Sequence, residues 1–323
     1  MSMIHEDIKK RIKYLIKKDG VFHANIFEGP EGIGKRTLAR YFAQAIHCQS
    51  EDAPCGKCPS CIKHQTKNHP DYMEVVPEQG KKSISVGKIR EAFSDLYIKP
   101  LISDKKIIFI PEADLCEAAA QNAMLKSFEE PPPYGVIILA VKNPSALLPT
   151  IRSRATVYSL NPVPKQEIES FIKNTYPEKS EKASFFAEFS GGIIGKAVAF
   201  SEDDEFSSLR EDVLGILSSF GESKLSAFRM ADFFKANPEK ESLIFDIVLS
   251  FMRDVSAYSE GSHKLINEDK KESIIKFSSK ISKKGAALAL YRLVESKNDK
   301  SKNANYDLWI TNLLLALWED IHG

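Results

Sequence analysis

The residues with the clearest chemical role are four cysteines that lie close together in the chain. Cys48, Cys55, Cys58 and Cys61 follow the spacing C-x6-C-x2-C-x2-C within fourteen residues. A C-x2-C pair in a tight turn presents two thiolates to one tetrahedral metal ion, and four thiolates complete a closed site. The spacing therefore predicts a structural Zn²⁺ module at residues 48–61, with reduced thiols or a disulfide pair as the alternative.

Other metal-binding side chains surround this segment. His47, His64 and His69 lie near it in the sequence and could replace one thiolate, although the four cysteines already suffice. The fifth cysteine, Cys116, stands alone beside the alanines of a predicted helix. It is predicted to be a buried core residue, because free cysteine is among the most buried residue types.

A second motif, GPEGIGKRT at residues 29–37, matches the phosphate-loop pattern G-x-x-x-x-G-K. A predicted strand precedes it and a helical pattern follows, which is the context that this motif requires. Small residues let backbone N–H groups approach phosphate oxygens, and the lysine contacts the terminal phosphates. The residues predicted to contact a nucleotide such as ATP or ADP are Gly29, Gly32, Gly34, Lys35 and Thr37.

The magnesium-binding part of this motif is degenerate. The position after the lysine should be Ser or Thr, but it is Arg36, and Thr37 lies one place late, roughly 100° around the helix. An acidic pair is expected where the buried strand at 106–110 ends, but the chain has Pro111 and Glu112 there. The alternatives are a tight turn without a ligand and an active ATPase. The two losses favour a third interpretation, an ATPase fold that has lost hydrolysis and binds nucleotide weakly or not at all.

Two arginines occupy the segment IRSRA at residues 151–155, between a proline turn and the last predicted strand. An arginine on the rim of such a domain can reach the nucleotide of a neighbouring subunit and stabilise charge on the transferring phosphate. Two arginines in a loop are more often a solvated surface, so the spacing alone does not establish that role.

The predicted secondary structure changes character along the chain. In the first half, short apolar segments alternate with helical patterns, which predicts a five-stranded parallel sheet with helices on both faces. The predicted strands are residues 25–28, 71–76, 106–110, 136–141 and 155–160. The predicted helices of this half are residues 35–47, a helix starting near Ser85, and a helix capped by Asp114 and stopped by the prolines at 131–133.

The second half has a helical pattern without a convincing strand. We therefore predict an α/β nucleotide-binding-like domain at residues 1–162, a small helical domain at 163–204 and an all-α domain at 205–323. A chain of 323 residues is too long for one typical core, which agrees with several domains.

The overall charge and hydropathy exclude several classes of protein. The net charge is +1, so any contact with nucleic acid must come from local patches or partners. The amino-terminal residues lack the apolar core of a signal peptide, and no apolar run reaches the roughly 18 residues of a membrane span. We expect a cytoplasmic protein with no membrane segment, and in that compartment clustered cysteines more often hold metal than form disulfides.

In their order along the chain, these motifs resemble the clamp-loader ATPases of bacterial DNA polymerase III, within the AAA+ superfamily. The similar segments are HANIFEGPEGIGKRTLA, the cysteine module, HPDYMEVVPE, KKIIFI, AAAQNAMLKSFEEPP and NPSALLPTIRSRATVYSL, and NANYDLWITNLLLAL resembles the closing helix of the family. The resemblance implies an AAA+ domain, a helical lid domain and a helical oligomerisation collar. It also implies that Arg154 is a catalytic arginine finger that acts in trans.

Within that family the chain resembles the delta-prime type more than the ATP-hydrolysing gamma/tau type. Arg36 and Pro111 would prevent magnesium binding, and Gly195 falls where the gamma type has a sensor arginine. The resemblance implies a subunit of the DNA polymerase III holoenzyme that is not an ATPase by itself. Such a subunit assembles with the gamma/tau and delta subunits and helps load the sliding clamp (beta) onto primer-template DNA.

Two rival functions make different predictions. A catalytically active gamma-like clamp-loader ATPase would hydrolyse ATP as an isolated chain in the presence of magnesium, which Arg36 and Pro111 disfavour. A zinc-containing DNA-binding module with a vestigial phosphate loop would bind DNA as a monomer in a salt-sensitive manner, which the net charge of +1 disfavours.

Overall fold

The computed structural model describes residues 4–18, 20–220, 223–299 and 305–322. The chain divides into two compact units. The first contains the residues up to Glu167 together with Gly192–Gly195, and the second contains Ile168–Gly191 together with the residues from Lys196 onward. The division into three domains at residues 162 and 204 stays a prediction.

A five-stranded parallel sheet forms the centre of the first unit, which confirms the predicted fold class. Its strands are β1 (Ala24–Glu28), β2 (Tyr72–Glu74), β3 (Lys106–Ile110), β4 (Gly135–Val141) and β5 (Thr156–Ser159). The strand order is β2-β3-β4-β1-β5, and every pairing is parallel. The register places Ile26 of β1 between Leu139 of β4 and Val157 of β5.

Helices occupy the connections of this unit, because parallel strands need crossover segments. The helices are α1 (Glu6–Lys17), α2 (Lys35–His47), α3 (Pro59–Gln65), α4 (Val86–Leu96), α5 (Ala118–Glu129), α6 (Pro149–Arg152) and the start of α7 (Lys165–Thr175). The predicted bounds of α2 are confirmed. The Ser85 hydroxyl caps α4 by accepting the backbone N–H of Lys88 at 3.4 Å.

The prediction that Asp114 caps the third helix is wrong. Asp114 lies in a 3-10 turn, Ala113–Leu115, and α5 begins only at Ala118. The Asp114 carboxylate instead accepts the backbone N–H groups of Lys142 and Asn143 at 2.8 to 3.2 Å. This side chain therefore joins the loop after β3 to the loop after β4, at the same edge of the sheet.

The sheet is buried on both faces. One face packs against α4 and α5 in a single buried cluster that includes Ile26 and Leu139. On the other face, the Phe27 ring stacks on Tyr158 with centroids 5.0 Å apart and meets Phe42 of α2 edge-on. Strands buried on both faces form continuous apolar runs, which explains why they stand out in the sequence. The packed sheet gives fixed positions to the loops at the carboxyl ends of its strands.

The regular secondary structure in the described residues of the second unit is entirely helical. Its helices are the rest of α7, α8 (Ala183–Phe189), α9 (Ile194–Glu202), α10 (Asp204–Phe220), α11 (Leu225–Ala236), α12 (Glu241–Ser259), α13 (Lys271–Ser278), α14 (Lys283–Asp299) and α15 (Tyr306–His322), with the first two residues of α9 belonging to the first unit. Across the described parts of both units, none of the helices has the length and apolar character that a membrane span needs.

A buried polar network holds part of the second unit together. Arg210 of α10 is 3% exposed and donates to the Asp269 carboxylate at 2.7 and 2.8 Å. Its guanidinium also lies 3.6 Å from the centre of the Phe185 ring. The buried Asp254 of α12 accepts the backbone N–H of Asn267 at 2.7 Å. The loop at residues 266–269 is therefore tied to both α10 and α12.

Candidate functional site

The phosphate-loop motif lies where β1 ends and α2 begins. Gly29 adopts a φ of 150°, and a Cβ at this position would lie 2.8 Å from the carbonyl oxygen of Leu160. Gly34, with a φ of 104°, is the N-cap residue of α2, so the first N–H groups of that helix face the loop. The predicted nucleotide contacts all lie in this loop or the first turn of α2: Gly29, Gly32, Gly34, Lys35 and Thr37.

The lysine of the motif is folded back on its own loop. The Lys35 ammonium donates to the carbonyl oxygens of Gly29 at 2.5 Å and Pro30 at 2.8 Å. Burial lowers the pKa of Lys35, and the nearby Asp114 carboxylate opposes that shift. A phosphate group would have to attract this ammonium away from two backbone acceptors.

A cavity of about 270 Å³ lies beside the loop. Pro111, which lines it after β3, is buried and offers no side-chain oxygen, while Arg36 brings positive charge to the start of α2. The Glu31 carboxylate, also in the lining, pairs with the Lys142 ammonium at 2.7 Å. The cavity has cationic groups suited to phosphate, but oxygen ligands are missing at the two positions where a magnesium ion is expected.

The segment Gly192–Gly195 packs directly on the phosphate loop within the first unit. The Gly195 N–H donates to the Gly32 carbonyl at 2.8 Å, and a Cβ at Gly195 would lie 2.8 Å from the same oxygen. The ring of His5 donates from Nε2 to the Ile33 carbonyl at 2.7 Å. The position where the family resemblance places a sensor arginine therefore has no room for a side chain in this arrangement.

Arg154 lies between α6 and β5. Its side chain is 39% exposed, and its Nη2 lies 3.1 Å from Oε1 of Glu129. Its Nη1 donates to the carbonyl of Thr150 at 3.1 Å. Arg152, two residues earlier on α6, is also exposed. The guanidinium of Arg154 is thus held at the surface, where an acceptor from another molecule can reach it.

A buried glutamine holds the loop that leads to α6. Gln121 is 4% exposed, and its amide donates to the carbonyls of Cys116 and Ala146 at 3.0 and 2.9 Å. Its Oε1 accepts the N–H of Leu148 at 2.8 Å. Its amide group is hydrogen-bonded at both ends, which fixes the loop before Arg154. The only sequence signal for this role is a polar residue on the buried face of the alanine-rich α5.

The four cysteines converge on one point. The Sγ atoms of Cys48, Cys55, Cys58 and Cys61 lie within 4.8 Å of one another, and those of Cys48 and Cys58 are 4.0 Å apart. Thiolates about 2.3 Å from a tetrahedral zinc ion are about 3.8 Å apart, whereas a disulfide needs about 2.05 Å. Backbone N–H groups donate to three of these sulfurs at 3.3 to 3.4 Å. The donor set fits a structural Zn²⁺ ion.

Hydrogen bonding favours the thiolate form in part of this cluster. Burial raises the pKa of Cys58, but hydrogen bonds led by the backbone N–H groups of Gln49 and Cys61 outweigh it and bring the pKa to about 6. Backbone hydrogen bonds from Lys57 and Cys58 also lower the pKa of Cys55. The thiolate is the form that binds metal. Burial raises the pKa of Cys48 and brings that of Cys61 to about 12, so a metal ion would have to displace the protons of these two thiols.

Three histidines pack beside the cysteines as a separate group. Nδ1 of His47 and Nε2 of His64 are 2.9 Å apart, and the His47 and His69 rings stack with centroids 4.2 Å apart. Burial lowers the pKa of His47 to about 3 and that of His64 to about 4, so both rings are neutral at pH 7. The stack joins α2, α3 and the loop before β2.

The phosphate loop follows the first strand of a parallel sheet with the order β2-β3-β4-β1-β5, and a helical unit follows the sheet. This arrangement places the chain in the AAA+ class of folds. The family model for DNA polymerase III, delta subunit, matches residues 4–164, and the model for the carboxyl-terminal part of the DNA polymerase III delta subunit matches residues 204–319. The chain belongs to the family of bacterial DNA polymerase III delta-prime subunits.

Relatives with known names include the DNA polymerase III subunit delta' of Bacillus subtilis, which is 29% identical over 99% of this chain and 98% of its own length. The delta' subunit of Escherichia coli is 30% identical over 57% of this chain and 56% of its own length. A gamma subunit-related protein of Thermotoga maritima is similar in structure, with a TM-score of 0.43 and 21% identity over 96% of this chain and 98% of that chain.

Proposed function

We propose that this chain is the delta-prime-type subunit of a clamp loader. In this role it assembles in the cytoplasm with the gamma/tau and delta subunits and helps load the sliding clamp onto primer-template DNA. The family membership supports the proposal, since the matches extend over both units of the chain. The relative from Bacillus subtilis supports it further, because the similarity covers nearly the whole of both chains.

The subunit is proposed to be inactive as an ATPase. The lack of ATPase activity is inferred from the cavity beside the phosphate loop, where Arg36 and Pro111 replace the groups that would hold magnesium. Phosphoryl transfer depends on a metal ion that bridges the phosphate oxygens and neutralises their charge. The closed loop, with Lys35 on its own carbonyls and Gly195 on Gly32, supports weak or absent nucleotide binding.

Arg154 is proposed to act in trans on the nucleotide of a neighbouring gamma-type subunit. Its exposed guanidinium follows the short helix α6, and the buried Gln121 fixes the loop that leads to that helix. An arginine finger is worth ~10³–10⁵ in rate in systems where it has been measured. The subunit therefore contributes to hydrolysis in the assembled complex without a competent site of its own.

The cysteine module is proposed to hold one structural zinc ion through Cys48, Cys55, Cys58 and Cys61. A structural zinc ion supplies about 10–16 kcal/mol of apparent binding free energy in small zinc peptides. That energy is enough to order a short loop with little core of its own. The residues of the chain contribute four sulfurs and the N–H groups that donate to them.

The test is steady-state ATP hydrolysis by a complex reconstituted from this chain, gamma, delta, clamp and primed DNA. Arg154→Ala is expected to lower turnover of the complex at least tenfold, as removal of a finger predicts. Arg152→Ala is the matched control, because Arg152 is also exposed on the same segment, and it should leave turnover unchanged. The isolated chain should show no turnover.

Two results would contradict this function. Turnover by the isolated chain that disappears in Lys35→Ala would mean that the chain is an active gamma-like ATPase. Full turnover by the complex that contains Arg154→Ala would refute the role of the arginine finger, while assembly and clamp loading could still be measured separately.

A further inference from the structure

The guanidinium of Arg154 is held by acceptors of its own chain at both terminal nitrogens. Nη2 lies 3.1 Å from Oε1 of Glu129, and Nη1 donates to the Thr150 carbonyl at 3.1 Å. The hydroxyl oxygen of Ser153 lies a little farther, at 3.4 Å from Nη1. A long flexible side chain is thus kept in one orientation although 39% of it is exposed.

Glu129 comes from a rigid part of the molecule. It is the last residue of α5, which ends at three successive prolines. The residue before it, Phe128, is 2% exposed and belongs to the buried cluster under the sheet. The Glu129 carboxylate therefore has a fixed origin, even though its own side chain is 51% exposed.

The same helix also fixes the loop before α6, the short helix that Arg154 follows. Gln121, two turns before Glu129 on α5, holds the backbone of Ala146 and Leu148. One helix therefore sets both the start of the arginine segment, through Gln121, and the direction of the guanidinium, through Glu129. Supporting contacts of this kind are what keep a functional side chain in a productive geometry.

The contacts leave the guanidinium able to bind a further anion. Arginine has five N–H groups. The Thr150 carbonyl and the Ser153 hydroxyl lie at Nη1, and Glu129 forms an ion pair on the side of Nη2, so the N–H groups of Nε and Nη2 are left for a further acceptor. A phosphate oxygen of a neighbouring nucleotide can therefore be bound without loss of the contact with Glu129.

We propose that Glu129 is a positioning residue for the arginine finger, and that its carboxylate orients the Arg154 guanidinium toward the nucleotide of the adjacent subunit. This inference rests on the proposed function, because it assigns a second residue to the same site. Glu129 does not touch the nucleotide itself and acts only through Arg154.

The experiment measures kcat and KM for ATP in the reconstituted complex with Glu129→Ala, Glu129→Gln and Arg154→Ala. An exposed ion pair orients its partner by a modest factor, so Glu129→Ala should lower kcat by up to about fivefold and leave KM unchanged. Glu129→Gln keeps a hydrogen-bond acceptor without the charge and should give an intermediate kcat. Glu130→Ala is the matched control, because Glu130 is an exposed neighbour whose backbone makes its hydrogen bonds.

The decisive comparison is the double variant. If Glu129 acts only through Arg154, Glu129→Ala should cause no further loss in a complex that already carries Arg154→Ala. A further loss in that background would overturn the inference. So would a kcat of Glu129→Ala equal to or above that of wild type, since a carboxylate that merely restrains the arginine gives that result. An Arg154→Ala complex with wild-type kcat would instead refute the finger itself and this inference with it.

Discussion

Gly195→Ala tests whether the phosphate loop is closed by the backbone of its own chain. The substitution would add a Cβ that lies 2.8 Å from the Gly32 carbonyl oxygen and 2.9 Å from the Gly32 Cα. Both atoms belong to the backbone, so no side chain can rotate away to relieve the contact. Either the phosphate loop or the start of α9 must move, and the hydrogen bond from Gly195 to Gly32 is then lengthened or lost.

Two effects of opposite sign decide how far Gly195→Ala changes the free energy of the closed loop. Alanine is favoured over glycine within a helix by about 1 kcal/mol, and Gly195 is the second residue of α9. Overpacking costs about 1–3 kcal/mol, and a clash with backbone belongs to the upper part of that range. The closed loop should therefore be destabilised by about 1–2 kcal/mol, which is a factor of roughly 5–30 in its opening equilibrium.

Hydrogen exchange measured by mass spectrometry on the full chain checks this directly. Peptides that cover residues 29–37 and 192–200 should exchange faster in Gly195→Ala by that factor. Gly215→Ala is the control, because Gly215 lies within α10 and no atom lies within 4 Å of an added Cβ. It should slow exchange in α10 by roughly twofold to fivefold, since alanine stabilises a helix interior by about 0.5–1 kcal/mol.

A peptide at residues 29–37 that is as protected in Gly195→Ala as in wild type, while Gly215→Ala behaves as expected, would contradict the closed loop. That result would mean that the loop is open in solution and that the contact between Gly195 and Gly32 does not close it. Weak nucleotide binding would then follow from Arg36 and Pro111 alone.

Two further predictions concern the elements that support the site. Cys58→Ser should reduce the zinc content from one ion per chain, measured by metal analysis, whereas Cys116→Ser should keep it, because Cys116 is buried away from the cluster. Asp71→Asn should lower the free energy of unfolding by about 2–3 kcal/mol at pH 7 in urea titrations, because the buried carboxylate accepts the backbone N–H groups of three consecutive residues at 2.6 to 2.9 Å. Burial raises the pKa of Asp71, but these hydrogen bonds together outweigh burial and lower it. The contribution of Asp71 to the free energy of unfolding is therefore present above the ordinary aspartate pKa of about 4, and it is lost as the pH falls below that value. The Asp71→Asn variant should not show this loss, because it has no carboxylate at this position.

Most of the sheet could be predicted from the sequence because its strands are buried on both faces. The predicted segment at 106–110 coincides with β3, and the segment at 136–141 differs from β4 by one residue. The segment at 71–76 was too long, since β2 covers only Tyr72–Glu74. The backbone pairing of β2 with β3 continues by one residue at each end of β2. The Asp71 carbonyl accepts the Ile107 N–H, and the Val75 N–H donates to the Phe109 carbonyl, both at 2.8 Å.

The residues that support the site could not be predicted, because their partners are distant in the chain. Asp114 resembles a helix N-cap, yet its carboxylate bonds to backbone 28 and 29 residues further on. Gln121 and Glu129 stand on one helix, but their roles depend on a loop 25 or more residues away. Local patterns reveal the motifs for phosphate and metal, which are contiguous, and they miss the contacts that orient Arg154.

The length of the edge strands has a consequence for the newly made chain. β2 has three residues and β5 has four, and the Tyr72 N–H at one edge already bonds to the His69 carbonyl at 3.2 Å. Exposed edge strands can pair with those of another molecule and start aggregation, and short edges limit this pairing. A single chain that has not yet met a partner therefore presents little free strand to a second copy. Any self-association before assembly is expected to occur between helical surfaces instead of through a continuous intermolecular sheet.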